Sequence, residues 1–265
     1  MKHMKSIAAG IAAMTTLALN SSVQAGTIIG GSSLLTAGYV TQLESWLGEG
    51  PLALTNIFTK DVDGTTSADW HNAVDQRGRT ISIFEIVTGL PGTQVIGGYN
   101  PQSWDASLGT YRVTTADADR TAFIFNLTTG VMQQQCKSTD AFTCGFDDAK
   151  LGNRQTYNHI NYGPTFGNGN DLYVNSALSD GYSYNYAYGD SVGALGHGSA
   201  NGLDSDPSDY RWVSIQALET FIIAADIETS AGPTPLPESG ALALFGLGLL
   251  GLGLMRRRKA VGTVS

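Results

Sequence analysis

The segments T-I-S-I-F-E-I-V at residues 80–87 and Q-V-I-G-G-Y at residues 94–99 give the strongest indication of the fold. The first segment is β-branched and mostly apolar, which favours a buried strand. The second segment is predicted to be the next strand, because Pro91-Gly92 between them is typical of a turn. These residues therefore predict two consecutive strands of a β-rich core.

Further strands are predicted on the C-terminal side of this pair. Thr128-Thr129-Gly130 lies between two apolar segments, 121–127 and 131–135, and this pattern predicts a hairpin. The connections between the later segments are crowded with Gly, Asn, Asp and Ser, as expected for loops. The remaining strands are predicted at 171–174, 182–188, 211–216 and 218–227.

Two short helices complete the predicted elements. Apolar residues at helical spacing predict them at 41–47 and 65–74, and Thr66 or Ser67 can cap the second. Strands and helices do not alternate along the chain, which argues against a doubly wound or α/β-barrel architecture. The sequence predicts a mainly β fold, a sandwich of two antiparallel sheets with two short helices. The predicted core includes Ile83, Trp104, Phe123 and Phe125.

Charge is distributed unevenly along the chain. The net formal charge is −8, but residues 26–238 hold nine basic and all 23 acidic residues, which gives this segment a charge of −14. An acidic domain disfavours anionic partners, and nucleic-acid phosphates need clustered Lys and Arg. We therefore expect no nucleic-acid partner, whereas cations, cationic proteins and neutral glycans are easier to accommodate.

Residues 1–25 have the layout of a secretory signal peptide. Two lysines within Met1–Lys5 precede an uncharged stretch from Ile7 to Leu19, and Val23-Gln24-Ala25 supplies small residues that signal peptidase reads. The sequence predicts cleavage between Ala25 and Gly26 by that enzyme. The alternative is an N-terminal core helix.

The other end, residues 233–265, has three parts. Pro237-Glu238 is followed by sixteen uncharged residues, Gly240–Met255, and then by a basic cluster. Sixteen helical residues span about 24 Å, less than the ~30 Å hydrocarbon core, so we expect a short transmembrane helix with its basic end in the cytoplasm. The basic cluster consists of Arg256, Arg257, Arg258 and Lys259.

This layout resembles the PEP-CTERM sorting signal of Gram-negative bacteria, although Ser239 stands where the second proline of that motif usually lies. The resemblance implies that an exosortase recognises the signal and removes the tail. The protein would first be anchored on the periplasmic side of the inner membrane and then reach the cell surface. The alternative is an ordinary C-terminal membrane anchor.

Several short motifs between the two ends carry a second resemblance. The most specific is Ile96-Gly97-Gly98-Tyr99 with Ser103-Trp104, and looser ones are Asp63-Gly64, Trp70-His71 and Ala122–Leu127. In this order they resemble a TLDc domain from about residue 52 to 227, and we assign residues 26–232 to it. The resemblance implies a two-sheet β-sandwich with short helices. The family is associated with resistance to oxidative stress, and some members bind the vacuolar proton pump.

The two cysteines, Cys136 and Cys144, both lie in the exported segment. Because the periplasm is oxidising, we expect a disulfide between them. In the chain-entropy model so short a loop contributes roughly 2–3 kcal/mol. A zinc site is disfavoured, because two thiols without a nearby histidine make a poor ligand set.

His71 is the candidate catalytic residue, with Asp69 and Asp75 close by in sequence. A histidine held by a carboxylate is the usual arrangement of a general base, and it would suit an extracellular hydrolase or an oxidative-stress enzyme. The alternative is a packed structural histidine. We favour the alternative, because the sequence contains no nucleophile motif, zinc-protease motif or phosphate loop.

Calcium is the candidate metal, and no other cofactor is expected. Asp61, Asp63 and Asp69 place carboxylates along a glycine-containing loop, and calcium needs six or more oxygen ligands. A looser set is Asp204, Asp206 and Asp209. The alternative is that these aspartates serve turns.

A row of alternating tyrosines is the candidate ligand-binding site. Tyr182, Tyr184, Tyr186 and Tyr188 would share one face of a strand, and exposed rings would suit glycan stacking. The alternative is a buried face of the sandwich. Three hypotheses for function follow: a non-catalytic module acting on exopolysaccharide or envelope proteins, an enzyme using His71, and a calcium-assisted glycan binder.

Overall fold

The chain folds into a mainly β structure with two helices, α1 (Ala37–Leu47) and α2 (Ser67–Val74). The computed structural model describes residues 26–87, 92–139, 151–183, 187–188 and 212–225. The chain divides into two units, residues 1–223 and 224–265, and the second is described only at residues 224–225. In chain order the strands are β1 (Thr27–Ile29), β2 (Leu52–Thr59), β3 (Thr80–Val87), β4 (Thr93–Asn100), β5 (Thr110–Val113), β6 (Phe123–Asn126), β7 (Val131–Gln134), β8 (Arg154–Asn158), β9 (Leu172–Val174), β10 (Asp180–Ser183) and β11 (Trp212–Ala225).

The two strands predicted first, β3 and β4, pair at the centre of the main sheet. Their antiparallel register runs from Thr80 opposite Asn100 to Val87 opposite Thr93. The sheet has the order β1-β2-β11-β3-β4-β6-β7, and β10 and β9 extend from β11. The short pair β1–β2 is parallel, and β5 and β8 form a second, two-stranded antiparallel sheet. The predicted class, mainly β with two sheets and two helices, is confirmed.

The main sheet buries both of its faces. Ile81 and Ile83 of β3 lie in one core cluster with residues of α1, whereas Phe84 and Ile86 lie in a second cluster with residues of α2. Alternate residues of a strand point to opposite faces, which explains why apolar residues of β3 stand at both odd and even positions. All four predicted core residues are buried: Ile83, Trp104, Phe123 and Phe125.

The two glycines of β4 make room for one aromatic ring on each face. A Cβ on Gly97 would lie 2.8 Å from the ring of Phe125, and one on Gly98 would lie 2.5 Å from the ring of Phe166. Both distances are shorter than side chains tolerate, so the rings pack directly on the backbone. This close approach explains why the specific part of the TLDc-like motif contains two consecutive glycines.

A second layer covers the α2 face of the main sheet. It combines the two-stranded sheet β5–β8 with β9 and β10, which continue the main sheet from β11. Phe166 bridges Thr156 of β8 and Leu172 of β9, so that β5, β8, β9 and β10 follow one another across this layer. Leu172 and Val174 are buried, whereas Tyr173 between them is half-buried. The layer therefore has an inward apolar side and an outward side that carries tyrosines.

The predicted strand 182–188 is wrong at its C-terminal end. Strand β10 ends at Ser183, and Tyr188 lies beyond it in the core. The Asp171 carboxylate accepts hydrogen bonds from the backbone N–H groups of Ala187 and Tyr188, at 2.7 and 2.8 Å. These amides bind a side chain instead of a neighbouring strand, so residues 187–188 do not continue the predicted strand.

Several predictions concern residues outside the described ranges. These are the signal peptide, the segment 233–265 with Pro237, Glu238 and its arginines, the acidic set at 204–209, and Cys144. Cys136 is buried, and its disulfide with Cys144 stays a prediction. Across the ranges that are described, no helix combines the length and apolarity needed to cross a membrane.

Candidate functional site

His71 lies inside the protein, on α2. Its side chain is 1% exposed, and its Nδ1 lies 2.7 Å from Oδ1 of Asp75, one helical turn further along. Its Nε2 donates to the carbonyl oxygens of His159 and Tyr162, each at 3.1 Å. Carbonyl oxygens only accept, so Nε2 must carry a proton. Both ring nitrogens are therefore engaged, and the predicted general base has no exposed nitrogen in this structure.

The same helix holds one loop at three points. Besides the two bonds from His71, the Ser67 hydroxyl donates to the carbonyl oxygen of Ile160 at 2.6 Å. Asp75 also fixes the far end of the helix, because its Oδ2 accepts from the Ala106 N–H at 2.8 Å. Helix α2 thus positions residues 159–162 as one unit.

The aspartates predicted as calcium ligands serve local structure. Asp69 Oδ2 accepts from the N–H groups of Thr65 and Thr66 and from the Thr66 hydroxyl, and this capping box begins α2. Asp63 Oδ2 accepts from the Thr59 N–H at 2.7 Å. No group of three or more acidic, His or Cys side chains within the described ranges is arranged to hold a metal ion. The structure therefore does not bring Asp61, Asp63 and Asp69 together as a metal site.

A continuous run of aromatic rings lies on the outward side of the second layer. The ring centroids follow at 4.8 Å from Tyr111 to Tyr157, 4.8 Å to Tyr162, 5.5 Å to Tyr173 and 4.8 Å to Tyr182. Every one of these five rings is half-buried. We call them the tyrosine strip: Tyr111, Tyr157, Tyr162, Tyr173 and Tyr182.

Backbone pairing explains the alignment of the strip. Tyr111 of β5 and Tyr157 of β8 are directly opposite each other, and so are Tyr173 of β9 and Tyr182 of β10. Tyr162 joins the two pairs, and it lies in the loop that α2 holds. His159 from the same loop stacks on Tyr157 with its ring tilted by only 8°. Four strands and one anchored loop therefore build one surface.

The strip is uncharged but has polar edges. Burial, and next the neighbouring tyrosines, raise the pKa values of Tyr157 and Tyr173, so both hydroxyls stay neutral near neutral pH. The Arg154 guanidinium lies 4.7 Å from the centroid of Tyr111, a cation–π contact. Asn170 donates to the Tyr182 hydroxyl at 3.1 Å. The surface thus combines flat apolar rings with hydroxyl and amide groups that form hydrogen bonds.

The predicted tyrosine row contributes one member to this strip. Tyr182 belongs to it, Tyr188 is buried, and Tyr184 and Tyr186 lie outside the described residues. The Tyr188 hydroxyl donates to the Gln155 carbonyl oxygen at 2.7 Å, and burial raises its pKa well above the usual value. The other four members could not be recognised from the sequence, because each stands alone in its own segment. The only available signal is that Tyr157 and Tyr173 lie in short polar–aromatic strands.

Comparison with known families agrees with this fold. A model of the TLDc domain matches residues 28–223, and a model of the PEP-CTERM protein-sorting motif matches residues 233–259. No individually curated protein matched the chain. The sorting motif supports export and sorting to the cell envelope, and it implies processing by an exosortase. Since the domain model covers most of the sequence, the chain belongs to the TLDc domain family.

Proposed function

We propose that this exported TLDc domain is a non-catalytic binding module of the cell envelope or extracellular matrix, and that its tyrosine strip binds a neutral polysaccharide. One observation carries the proposal: five half-buried tyrosine rings in unbroken contact across four strands and a loop. Folded proteins seldom leave such a row accessible unless it contacts a partner.

The chemistry of the strip suits sugar rings. A pyranose ring presents C–H groups on its flat faces and hydroxyl groups around its edge. Tyrosine rings offer large contact area at low cost in side-chain entropy, and each carries a polar hydroxyl at one edge. The amides of Asn168 and Asn170, in the loop between β8 and β9, lie beside this surface and can bond to sugar hydroxyls. A run of five rings fits an extended polymer better than a compact metabolite.

The negative charge of the exported segment favours neutral over anionic polysaccharides. The exported segment carries −14, so a uronate-rich or sulfated chain would be repelled over the whole surface. The strip itself has neutral hydroxyls and one nearby cation, Arg154, which already lies over Tyr111. These features support a neutral chain as the ligand.

A non-catalytic role is supported by the position of His71. The ring is 1% exposed, and both of its nitrogens are bonded to protein groups. A general base must reach a substrate proton, directly or through one water. Here the histidine supports the strip from behind, through the carbonyl oxygens of His159 and Tyr162.

Affinity electrophoresis tests the proposal. The exported protein is run through gels that contain a neutral β-glucan, a neutral mannan or alginate as an anionic polymer. We expect retardation by a neutral polymer and none by alginate. Replacing a central ring, in Tyr162→Ala or Tyr173→Ala, should weaken the interaction about tenfold, since one stacked ring contributes about 1.4 kcal/mol or more.

Matched controls separate binding from folding. Tyr39→Ala removes a half-buried tyrosine of α1, away from the strip, and should leave retardation unchanged. Tyr173→Phe keeps the ring and should keep most of the affinity. The proposal fails if no neutral polymer retards the wild type, as expected if the partner is an envelope protein, or if Tyr162→Ala and Tyr173→Ala bind like wild type while their thermal unfolding is normal.

We further propose that the tail is cut near Glu238-Ser239, after transient anchoring by Gly240–Met255 in the inner membrane. A sixteen-residue, glycine-rich helix is a poor permanent anchor, and the basic cluster fixes its orientation. C-terminal peptide mapping of surface protein from the native host should find no peptide through Arg256. Recovery of that peptide from most of the population would show a permanent anchor instead.

A further inference from the structure

Glu44 of α1 is a buried carboxylate whose described neighbours are backbone amides. It is 7% exposed, and its Oε1 accepts from the N–H of Gly26 at 2.6 Å and from the N–H of Leu52 at 3.1 Å. Within the described ranges no Lys, Arg or His lies at ion-pair distance from it. Burying a carboxylate without an opposite charge is costly, so a neighbouring cation would be strongly favoured here.

Gly26 is the residue that predicted cleavage would place at the new N-terminus. Hydrolysis of the Ala25–Gly26 bond adds one water, leaves a carboxylate on Ala25 and turns the Gly26 amide nitrogen into an α-ammonium group. That nitrogen is the atom 2.6 Å from Glu44 Oε1. Cleavage therefore produces a cation at the position where the buried carboxylate lacks one.

The surroundings of Gly26 accept only glycine. A Cβ built there would lie 2.2 Å from the Leu52 carbonyl oxygen and 2.5 Å from Glu44 Oε1. The next residue, Thr27, begins β1, which pairs in parallel with β2 at Ala53. The strand pairing and the close packing thus place the nitrogen of residue 26 directly on Glu44.

We infer that the mature α-ammonium group of Gly26 forms a buried ion pair with Glu44, so that removal of the signal peptide completes the α1 side of the fold. The inference rests on the predicted cleavage site and is independent of glycan binding. A protein that binds no polysaccharide can still contain this pair, and the two tests can fail separately.

The test uses the full chain, expressed with its own leader in a Gram-negative host. Intact-mass analysis of the exported protein should place its N-terminus at Gly26. Acylation of the α-amine at neutral pH should be about tenfold slower in wild type than in Glu44→Gln, because a carboxylate that raises the pKa of the amine by one unit lowers the reactive fraction tenfold. The matched control, Glu49→Gln, removes an exposed carboxylate that pairs with Arg79 and should leave the rate unchanged.

A second measurement covers the case in which Glu44→Gln does not fold. Wild-type protein in urea should then react about tenfold faster than the folded protein, after correction for a free glycine peptide in the same solvent. An N-terminus other than Gly26 overturns the inference. Equal α-amine reactivity in folded wild type, folded Glu44→Gln and the urea-unfolded chain overturns it as well.

Discussion

The two buried faces of the main sheet are built by different interactions. On the α1 face, Trp46 packs against Phe123 and Phe125, with ring centroids 6.2 and 5.7 Å apart. On the α2 face, Trp70 donates from Nε1 to the Thr220 hydroxyl, and Trp104 donates to the Thr80 hydroxyl, both at 2.9 Å. The aromatic rings on the first face pack by apolar contact, whereas on the second face hydrogen bonds fix the orientation of Trp70 and Trp104.

Because of this difference, we expect the α1 face to stabilise the sheet and the α2 face also to position α2 and its loop. Apolar packing is not directional, so it stabilises the sheet without setting any ring to a particular angle. Hydrogen bonds from Trp70, Trp104 and His71 are directional, and they tie α2 and its loop to the sheet. The tyrosine strip lies on the outer side of that second face. We therefore expect changes under α1 to affect stability alone and changes near α2 to affect ligand binding as well.

The largest effect is expected from Phe123→Ala on the α1 face. Removing a buried phenylalanine should cost about 3–5 kcal/mol of unfolding free energy, measured as a shift of the urea midpoint. The folded fraction should still bind the polysaccharide normally, because the strip lies on the other face. If the folded variant bound the polysaccharide more weakly, the α1 face would affect ligand binding as well as stability, contrary to expectation.

The next effect is expected from His71→Ala on the α2 face. Two carbonyl oxygens and the Asp75 carboxylate lose a partner, which should cost about 1–3 kcal/mol. Affinity for the polysaccharide should fall as well, because residues 159–162 lose their anchor. Near-ultraviolet circular dichroism should report the changed environment of Tyr162.

A conservative variant makes this test specific. His71→Gln keeps an N–H donor for the carbonyl oxygens and should restore part of the affinity. If His71→Ala lowers stability but binds as tightly as wild type, His71 is merely structural and does not position the strip.

A smaller effect is expected from Gly98→Ala, which adds one methyl group beneath Phe166. Because that Cβ would lie 2.5 Å from the ring, overpacking should cost about 1–2 kcal/mol, measured by urea unfolding. The matched control is Gly38→Ala in α1, where the nearest atom is 3.8 Å away and alanine favours the helix. A neutral Gly98→Ala would show that the ring can move away from β4.

The sheet centre could be predicted from sequence because its signals are local. Strands β3, β4, β6 and β7 follow from apolar runs and turn residues, and Thr66 caps α2 as predicted. Strand β2 was missed although it reads L-A-L-T-N-I-F-T, since its central polar residues interrupt the apolar pattern. Strand β5 was missed because it is partly exposed, and β8 was missed because the residues it buries, Gln155, Thr156 and Asn158, are polar, so neither strand has an apolar pattern.

The candidate site could not be predicted, because it is assembled from distant segments. Tyr157 and Tyr111 are paired by a register that depends on the whole second layer. The alternating tyrosines at 182–188 give a strong local signal, but Asp171 binds the amides of Ala187 and Tyr188 and ends the pattern. A local rule fails wherever a side chain from elsewhere in the fold replaces the expected backbone partner.

The smallest effect is expected at Asp69, which caps α2 at the surface. Hydrogen bonds, first from the Thr66 hydroxyl and then from backbone N–H groups, hold the pKa of Asp69 below its ordinary value. Because the folded-state pKa is the lower one, this stabilisation is present above the unfolded pKa of about 3.9 and is lost as the pH falls through the folded value. Asp69→Asn should therefore melt below wild type at neutral pH, and thermal melts from about pH 5 towards about pH 2 should show the difference closing. A difference that stays constant over this range would mean that the cap acts through its hydrogen bonds without any contribution from its charge.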